Sequence, residues 1–192
     1  MIPSRCVFDD YAGDYDMWFG EHNDTYQAQL RMLRKALPDN GCGLEVGIGS
    51  GRFAVSLGID YGIDPSLKLL NMAKSRGIEI VRGEGEHLPY CPRSFNYVLM
   101  MTVVCFLEDV VAVFRDVNRV LRPGGILIVG FIERDGEIYR MYQHETTKGK
   151  FLRFAKFWTS DQVEKFFKET GFIKVSVIER TRGFCVMKGQ KV

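Results

Sequence analysis

The sequence lacks the cysteine pattern of a disulfide framework or a zinc site. Its five cysteines, at positions 6, 42, 91, 105 and 185, are an odd number, lie far apart and form no C-x-x-C pair. Structural zinc sites and disulfide-stapled domains use closely spaced or evenly numbered cysteines. We therefore expect no metal centre and a reducing, cytoplasmic environment.

The sequence also lacks a long apolar run and a strong excess of charge. The longest apolar stretch, residues 97–107, is too short to cross a bilayer, and the first residues carry acids where a signal peptide would be apolar. Lysine and arginine number 26 against 24 acids, a net charge of +2. This balance does not indicate a nucleic-acid or membrane partner. We expect an intracellular protein without a membrane partner, and the sequence does not determine its oligomeric state.

A glycine-rich stretch at residues 41–51, GCGLEVGIGSG, is the clearest local signal. Residues 44–48 form an apolar run that predicts a buried strand, and the glycines at 47, 49 and 51 predict a tight turn into a helix at 52–57. This is the first βα unit of an open α/β sheet, in which ligands bind outside the carboxyl ends of the strands.

The spacing of these glycines bears on which ligand is bound. A dinucleotide fingerprint, G-x-G-x-x-G, would have its third glycine at position 52, where this chain has Arg52. Glu45, inside the predicted strand, favours a ligand with an amino group or positive charge over a pyrophosphate. An NAD(P)-binding oxidoreductase nevertheless remains an alternative at this point.

Asp64 ends the next predicted strand, residues 59–63, in the sequence GIDPS. A carboxylate at this place in an α/β fold can accept hydrogen bonds from both ribose hydroxyls. The alternative is that Asp64 caps a helix over residues 65–76, because an acid before a first-turn proline is favoured there.

Four ordered motifs, LEVGIGSG, GIDPS, GEGEHLP and RVLRPGG, together resemble class I S-adenosylmethionine-dependent methyltransferases. The opening FDDYAGDYD resembles the same family, and the chain is most similar to its methyltransferase type 11 group, which includes ubiquinone- and menaquinone-biosynthesis enzymes. Three departures are mild: Glu84 replaces Asp, Gly85 replaces Ala and Asn96 replaces Asp. Cys105-Phe106 stands where many relatives have His-His, which removes one candidate for acid–base chemistry.

The resemblance implies one α/β domain over residues 1–192. Its fold would be a Rossmann-like, seven-stranded, mostly parallel sheet with helices on both faces and a C-terminal antiparallel hairpin. Five alternating strand and helix patterns, followed by predicted strands at 172–178 and 184–188, match that arrangement. The implied cofactor is S-adenosyl-L-methionine, with S-adenosyl-L-homocysteine as its product.

The family's motifs also imply the residues that hold the cofactor. Glu45 would serve the methionine amino end through water, Asp64 the ribose hydroxyls, Glu84 the adenine amine, and the backbone N–H of Gly85 a ring nitrogen. The complete expected set is Glu45, Gly47, Ile48, Gly49, Gly51, Asp64, Pro65, Glu84, Gly85, Met101 and Thr102.

Two segments fall outside these motifs. Residues 1–22 are either an amphipathic segment laid over the core or a flap whose aromatics cover a sulfonium by cation–π attraction. Residues 132–158 contain a predicted helix near 136–148 and a basic, aromatic run at 148–158, which is either a lid or, less expected, a nucleic-acid contact. Candidate catalytic residues in the two segments are Tyr11, Tyr15, Tyr139, Tyr142 and His144.

We therefore expect methyl transfer to a small-molecule acceptor, at nitrogen, oxygen or carbon, by in-line displacement. Base methyltransferases usually have an N-P-P-Y-like motif after the fourth strand, where this chain reads MTVVCF. The open alternatives are an NAD(P)-binding oxidoreductase and a cofactor-binding protein without catalysis. Methyl transfer needs little besides positioning and exclusion of water, so the sequence does not separate the last alternative from an enzyme.

Overall fold

The computed structural model describes residues 3–144 and 150–192. The strands in these ranges are β1 (Gly43–Val46), β2 (Tyr61–Asp64), β3 (Glu79–Arg82), β4 (Phe95–Met101), β5 (Leu121–Ile132), β6 (Phe172–Thr181) and β7 (Phe184–Lys191). They form one sheet in the order β3-β2-β1-β4-β5-β7-β6. The pairs among β1–β5 are parallel, and β7 is antiparallel to both β5 and β6. The predicted seven-stranded, mostly parallel sheet with a C-terminal hairpin is confirmed.

The helices cover both faces of the sheet, as predicted. They are α1 (Pro3–Asp10), α2 (Ala12–Glu21), α3 (Asn23–Arg34), α4 (Arg52–Leu57), α5 (Leu67–Ser75), α6 (Val110–Val120), α7 (Glu137–His144) and α8 (Ser160–Glu169). Single 3-10 turns lie at Val104–Phe106 and Leu152–Phe154. Within the described residues, no helix is both long enough and apolar enough to cross a membrane.

The strand β4 shows how the two faces are filled. Val98 and Met100 point into the core under α6 and α8, whereas Tyr97 and Leu99 point into the core under α2–α5. This alternation is the period of two expected of a strand buried on both faces. The central strands are therefore anchored from both sides, which holds their carboxyl ends in fixed positions.

The order of the strands determines where a ligand can bind. The chain runs outward from β1 through β2 to β3, then returns to place β4 on the other side of β1. At such a reversal the loops after the two adjacent strands diverge and leave a crevice at their carboxyl ends. The glycine loop after β1 and the residues after β4 border this crevice.

Some predicted boundaries are wrong by a few residues. Leucines at 30, 33 and 37 predict a helix that runs from residue 23 or 24 to about Leu37, but α3 ends at Arg34. The strand expected at 59–63 is Tyr61–Asp64. The helix expected at 65–76 is Leu67–Ser75, because the Ser66 side chain caps it. The apolar run at 126–131 predicts a strand there, but β5 begins already at Leu121, which pairs with Phe95.

The sequence Arg-Pro-Gly-Gly at 122–125 predicts a turn, and this turn is retained inside β5. Between the pairs Phe95–Leu121 and Tyr97–Ile126, β4 advances two residues while β5 advances five, so the intervening residues loop out of the ladder. Gly124 has φ of +76° in this loop. Residues 1–22, expected as a single covering segment, contain the two helices α1 and α2, and the lid helix expected at 136–148 is described only as α7.

Candidate active site

A cavity of about 1110 Å³ opens at the crevice between β1 and β4. One side is lined by the loops that follow β1, β2, β3 and β4, and the other by α2, α3, α7 and the turn between β6 and β7. Eight of the eleven predicted cofactor residues line it: Gly47, Gly49, Asp64, Pro65, Glu84, Gly85, Met101 and Thr102. The topology thus brings together residues that lie far apart in the chain.

The glycine loop runs directly beneath other elements, so side chains have no room there. A Cβ at Gly47 would lie 2.4 Å from Cγ2 of Val103, and one at Gly49 would lie 3.0 Å from the Tyr15 hydroxyl oxygen. Both glycines also have positive φ, +73° and +54°, which disfavours other residues. The loop therefore presents bare backbone to the cavity.

Asp64 joins the glycine loop to the start of α5. Its carboxylate accepts a hydrogen bond from the backbone N–H of Gly49 at 2.9 Å and another from the N–H of Ser66 at 2.9 Å. A carboxylate has about four acceptor positions, so two remain for a ligand in the cavity. Burial raises the pKa of Asp64 to about 6. The helix-cap alternative is wrong, because the N-cap of α5 is Ser66, whose side chain accepts from the N–H of Leu69.

Glu45, expected to serve the methionine amino end through water, lies behind the cavity wall. Its side chain is only 1% exposed and is not part of the cavity wall. One carboxylate oxygen, Oε2, is buried without a hydrogen-bond partner among the described residues. Burial, with a further contribution from nearby Asp64, holds the pKa of Glu45 well above its usual range. Oε2 of Glu45 is therefore a buried oxygen close to the cavity that has no hydrogen-bond partner among the described residues.

Two further predicted residues support the loop from behind. Ile48 is 4% exposed and packs over β2, where a Cβ at Gly62 would lie 2.1 Å from its Cδ1 atom. Gly51 is the N-cap residue of α4 and has φ of +81°. Neither residue lines the cavity. Both shape the backbone of the loop rather than its open surface.

Among the candidate catalytic residues whose side chains the structure describes, Tyr15 and Tyr142 line the cavity. Burial, followed by the charges of Asp64 and Glu45, raises the pKa of the Tyr15 hydroxyl above its usual range. Its O–H therefore stays protonated at neutral pH, so it can donate a hydrogen bond but does not act as a base.

Two of the other three candidates, Tyr11 and Tyr139, do not line the cavity. Tyr11 is 40% exposed, and its ring faces the Lys150 ammonium at 4.3 Å. Tyr139 packs edge-on against Phe157, with ring centroids 5.2 Å apart. The side chain of His144 lies outside the described part of the structure.

The cavity wall is strongly acidic. It contains two cations, Lys150 and Arg182, and eight carboxylates: Asp14, Glu21, Asp24, Asp64, Glu84, Glu86, Glu108 and Glu137. Each cation already has a carboxylate partner, Lys150 in Asp14 and Arg182 in Glu137. The cavity therefore attracts positive charge and offers an anion no unpaired cation in the described residues.

Sequence reasoning missed one wall of the cavity, which α3 provides. Its lining residues, Thr25, Ala28, Gln29 and Met32, recur at the i, i+3, i+4, i+7 spacing of one helix face. The signal was present in the sequence. It was masked by the leucine stripe at 30 and 33, which predicts the core-facing side of the same helix.

The same reasoning missed the partner of Arg52, which was noted only as a departure from the dinucleotide pattern. Arg52 forms a two-bond ion pair with Asp16 of α2, and Arg76 binds the same carboxylate. An arginine directly after a glycine loop was the available signal. Nothing in the sequence pattern indicates which acid it meets, 36 positions away.

The residues at the cavity fit S-adenosylmethionine. Asp64 has acceptor positions for hydroxyl groups, the glycine loop leaves open backbone, and the buried Oε2 of Glu45 is an unpaired acceptor that suits a nearby amine. The excess of carboxylates suits the positive sulfur. In residues 3–144 and 150–192, no group of three or more metal-ligating side chains is placed to hold a metal ion.

Comparisons with known proteins agree with this geometry. Residues 44–129 match the family model described as a methyltransferase domain, Methyltransf_11. Over 98% of its length, the chain superposes on all of a SAM-dependent methyltransferase from Thermotoga maritima, with a TM-score of 0.92 and 29% identity.

Among curated proteins, an uncharacterized protein of Methanocaldococcus jannaschii is 36% identical over 90% of this chain and 84% of its own length. A protein of Mycobacterium tuberculosis is 35% identical over 89% of this chain, which spans only 61% of that relative. Demethylmenaquinone methyltransferase of Staphylococcus saprophyticus is 24% identical, over 94% and 92% of the two chains. These similarities agree with the fold and with the open backbone of the glycine loop. The chain therefore belongs to the class I S-adenosylmethionine-dependent methyltransferases, with S-adenosylmethionine as its cofactor.

Proposed function

We propose that this methyltransferase transfers the methyl group to a small-molecule acceptor bound in the same cavity, by in-line displacement at nitrogen, oxygen or carbon. The size of the cavity carries the proposal. Its volume of about 1110 Å³ exceeds the roughly 300–1,000 Å³ of a pocket for one drug-sized ligand. With the cofactor on the glycine loop, the space between α2, α3 and α7 is left for the acceptor.

In this proposal the cofactor lies along the carboxyl ends of the first four strands. Asp64 would accept from the ribose hydroxyls at its two remaining acceptor positions, and Glu84 and the backbone of Gly85 would bind the adenine. The backbone of Gly47 and Gly49 would hold the methionine end, and Glu45 would act on its amino group through water. Pro65, Met101 and Thr102 complete the contact surface, while Ile48 and Gly51 hold the loop from behind.

When bound, S-adenosylmethionine supplies a methyl group already activated by its positively charged sulfur. The chain then has to position the acceptor in line and exclude water. An aromatic cluster at the cavity supports both tasks: Phe8 stacks on Phe151 with centroids 5.1 Å apart and meets Phe106 edge-on at 5.2 Å. Aromatic faces also attract positive charge.

The same contacts support the flap and lid roles of residues 1–22 and 132–158. Phe8 and Tyr15 of the first segment pack on Phe151 of the second, and Lys150 pairs with Asp14. Asp14 and Lys150 are 136 positions apart in the chain, and their contact brings the two segments together at the cavity. Residues 145–149, part of the proposed lid, lie outside the described residues.

The acceptor we favour is uncharged or cationic. An amine fits in either form, because it can bind as the cation and attacks the methyl group as the neutral base. Both cations of the described cavity wall are already paired, so an anionic acceptor would meet only excess carboxylates. The T. maritima neighbour is described as a possible histamine N-methyltransferase. That description, at 29% identity, agrees with an amine acceptor here.

The test combines binding and transfer. Calorimetry should show heat for S-adenosylhomocysteine and none for NADH. Methyl-labelled S-adenosylmethionine should then be incubated with three groups of compounds: small amines, neutral phenols and quinols, and carboxylates or phosphate esters. We expect transfer to the amines. Transfer to the anionic group alone would contradict the charge argument, and cofactor binding without transfer to any group would favour a protein that has lost catalysis.

A further inference from the structure

An ion cluster fastens α2 to the far side of the glycine loop. The Asp16 carboxylate accepts from Nε of Arg52 at 2.8 Å and from its Nη2 at 2.6 Å. Arg76 directly follows α5, and its Nη2 donates to the same carboxylate at 2.8 Å. The other terminal nitrogen of Arg76 donates to the backbone oxygen of Ser50, within the loop itself. One carboxylate therefore joins three elements.

This cluster differs from an ordinary surface ion pair. The Asp16 side chain is only 17% exposed, and those of Arg52 and Arg76 are 35% and 25% exposed. Parallel two-bond pairing and several charges in one network are the conditions under which ion pairs contribute measurably. The hydrogen bonds from Arg52 hold the pKa of Asp16 well below its usual range, so the carboxylate stays ionised at neutral pH.

The cluster lies outside the cavity, but it determines what covers it. Asp16, Arg52 and Arg76 are absent from the cavity wall, whereas the neighbouring residues Tyr15 and Trp18 are part of it. The Tyr15 hydroxyl oxygen lies 3.0 Å from where a Gly49 Cβ would stand. The cluster thus holds α2 where Tyr15 covers the glycine loop at Gly49.

We propose that Asp16, Arg52 and Arg76 form a latch that holds α2 over the glycine loop and thereby sets how long the cofactor stays bound. All three are positioning residues, since they act through Tyr15 and the loop and do not themselves face the ligand. Opening the latch releases the cover from the cofactor site without disturbing Asp64 or the strands. This inference rests on the proposal that the cofactor lies on the glycine loop.

The test measures release of the bound product. Full-length protein is loaded with labelled S-adenosylhomocysteine and diluted into an excess of unlabelled compound, and the loss of label is followed. Asp16→Asn, which keeps the side chain's shape, should speed release by about 10- to 100-fold and change the association rate by less than about threefold. The melting temperature of the ligand-free protein should stay within a few degrees of wild type, because the two cores beneath the sheet are untouched.

Matched variants separate a latch from general damage. Asp10→Asn removes an exposed acid at the end of α1, for which no partner is found among the described residues, and should leave release within twofold of wild type. Arg52→Lys keeps the charge but loses the parallel pair, so its release rate should lie between wild type and Asp16→Asn. The double variant with Arg52→Gln should release no faster than Asp16→Asn alone, since members of one network are not additive.

Each result decides the matter. Wild type that does not bind S-adenosylhomocysteine overturns the proposed function itself. Wild type that binds, with release from Asp16→Asn unchanged within threefold, overturns the latch and leaves the proposed function intact. If Asp16→Asn does not fold, Arg52→Lys decides alone: faster release at an unchanged melting temperature supports the latch, and unchanged release rejects it.

Discussion

Replacing Asp64 by Asn removes a buried charge while keeping the shape of the side chain. The residue is 8% exposed, and burial raises its pKa from the ordinary 3.8 to about 6. Backbone N–H groups of Ser66 and Gly49 lower the pKa and nearby Asp9 raises it, but burial is the largest cause. A rise of about two pH units corresponds to roughly 3 kcal/mol by which folding disfavours the ionised carboxylate.

The sign of the pH dependence follows from this shift. Between pH 3.8 and about 6, the folded protein keeps the Asp64 proton that the unfolded chain has released. The stability of the ligand-free protein should therefore fall as the pH rises through this range. The Asn variant lacks this pH dependence, so wild type should lose roughly 2 kcal/mol relative to the variant between pH 4 and pH 7. At pH 7 two effects of the substitution oppose each other. The variant no longer buries a charge, but its amide cannot accept from both backbone N–H groups and leaves one donor poorly satisfied. The stability of the variant should therefore equal that of wild type within about 1 kcal/mol.

Cofactor binding at pH 7 should be clearly weaker in the variant, although the stability of the ligand-free protein is nearly unchanged. A hydrogen bond to a charged group contributes roughly 1.5–3 kcal/mol, so Asp64→Asn should weaken S-adenosylhomocysteine binding by about ten- to a hundredfold. Denaturant unfolding at several pH values and calorimetry at pH 7 measure the two effects. The control is Asp60→Asn, at an exposed acid just before the amino end of the same strand, where neither effect should occur.

One pattern of results would refute this reasoning. If the ligand-free Asp64→Asn protein is clearly destabilised at pH 7 and binds the cofactor as wild type does, Asp64 serves only to tie Gly49 to Ser66. Parallel pH curves for wild type and variant would show in addition that the carboxylate carries no buried-charge penalty. The difference between the curves combines the burial of the Asp64 charge with its effect on Glu45, because the Asp64 charge also raises the pKa of Glu45.

Two further pairs of variants test the cavity. Gly49→Ala and Gly58→Ala both place a side chain at positive φ, +54° and +70°, and each should lower the free energy of unfolding by about 1–2 kcal/mol. Only Gly49→Ala also meets the Tyr15 hydroxyl at 3.0 Å, so only it should weaken S-adenosylhomocysteine binding tenfold or more, and equal affinities would place the cofactor elsewhere. Tyr142→Ala should spare cofactor affinity and lower turnover on an identified acceptor, because Tyr142 lines the cavity. Tyr139→Ala should instead lower the melting temperature with turnover retained, and the reverse outcome for the two tyrosines would contradict our division of the cavity.

Much of the fold could be predicted from the sequence because its signals are local. The glycines at 47, 49 and 51 all have positive φ in the structure. Glycine is the residue that adopts this conformation without steric cost, so its presence is a local signal of the turn. The C-terminal hairpin was predicted from a short connection. It is shorter in the structure, only Arg182 and Gly183, both with positive φ as a two-residue turn between strands requires.

The helix boundaries were predicted less well for an equally local reason. Several polar residues near a helix start compete to cap it, and small differences in geometry decide between them. At α5 the choice was between Asp64 and Ser66, which are two residues apart. The sheet places Asp64 at the end of β2, where it accepts from the glycine loop, and this leaves Ser66 as the cap.

By itself the sequence determined the sheet, the glycine loop and the family, because periodicity, backbone conformation and motif spacing are written in neighbouring residues. Only the tertiary structure decided what faces the cavity. It selected Tyr15 and not Tyr11, and it brought Asp16 onto Arg52 and Arg76 across 36 and 60 positions. An amphipathic pattern states which side of a helix is apolar but not what lies opposite its polar side. The partners of a charge are settled only when the folded strands and helices bring distant residues together.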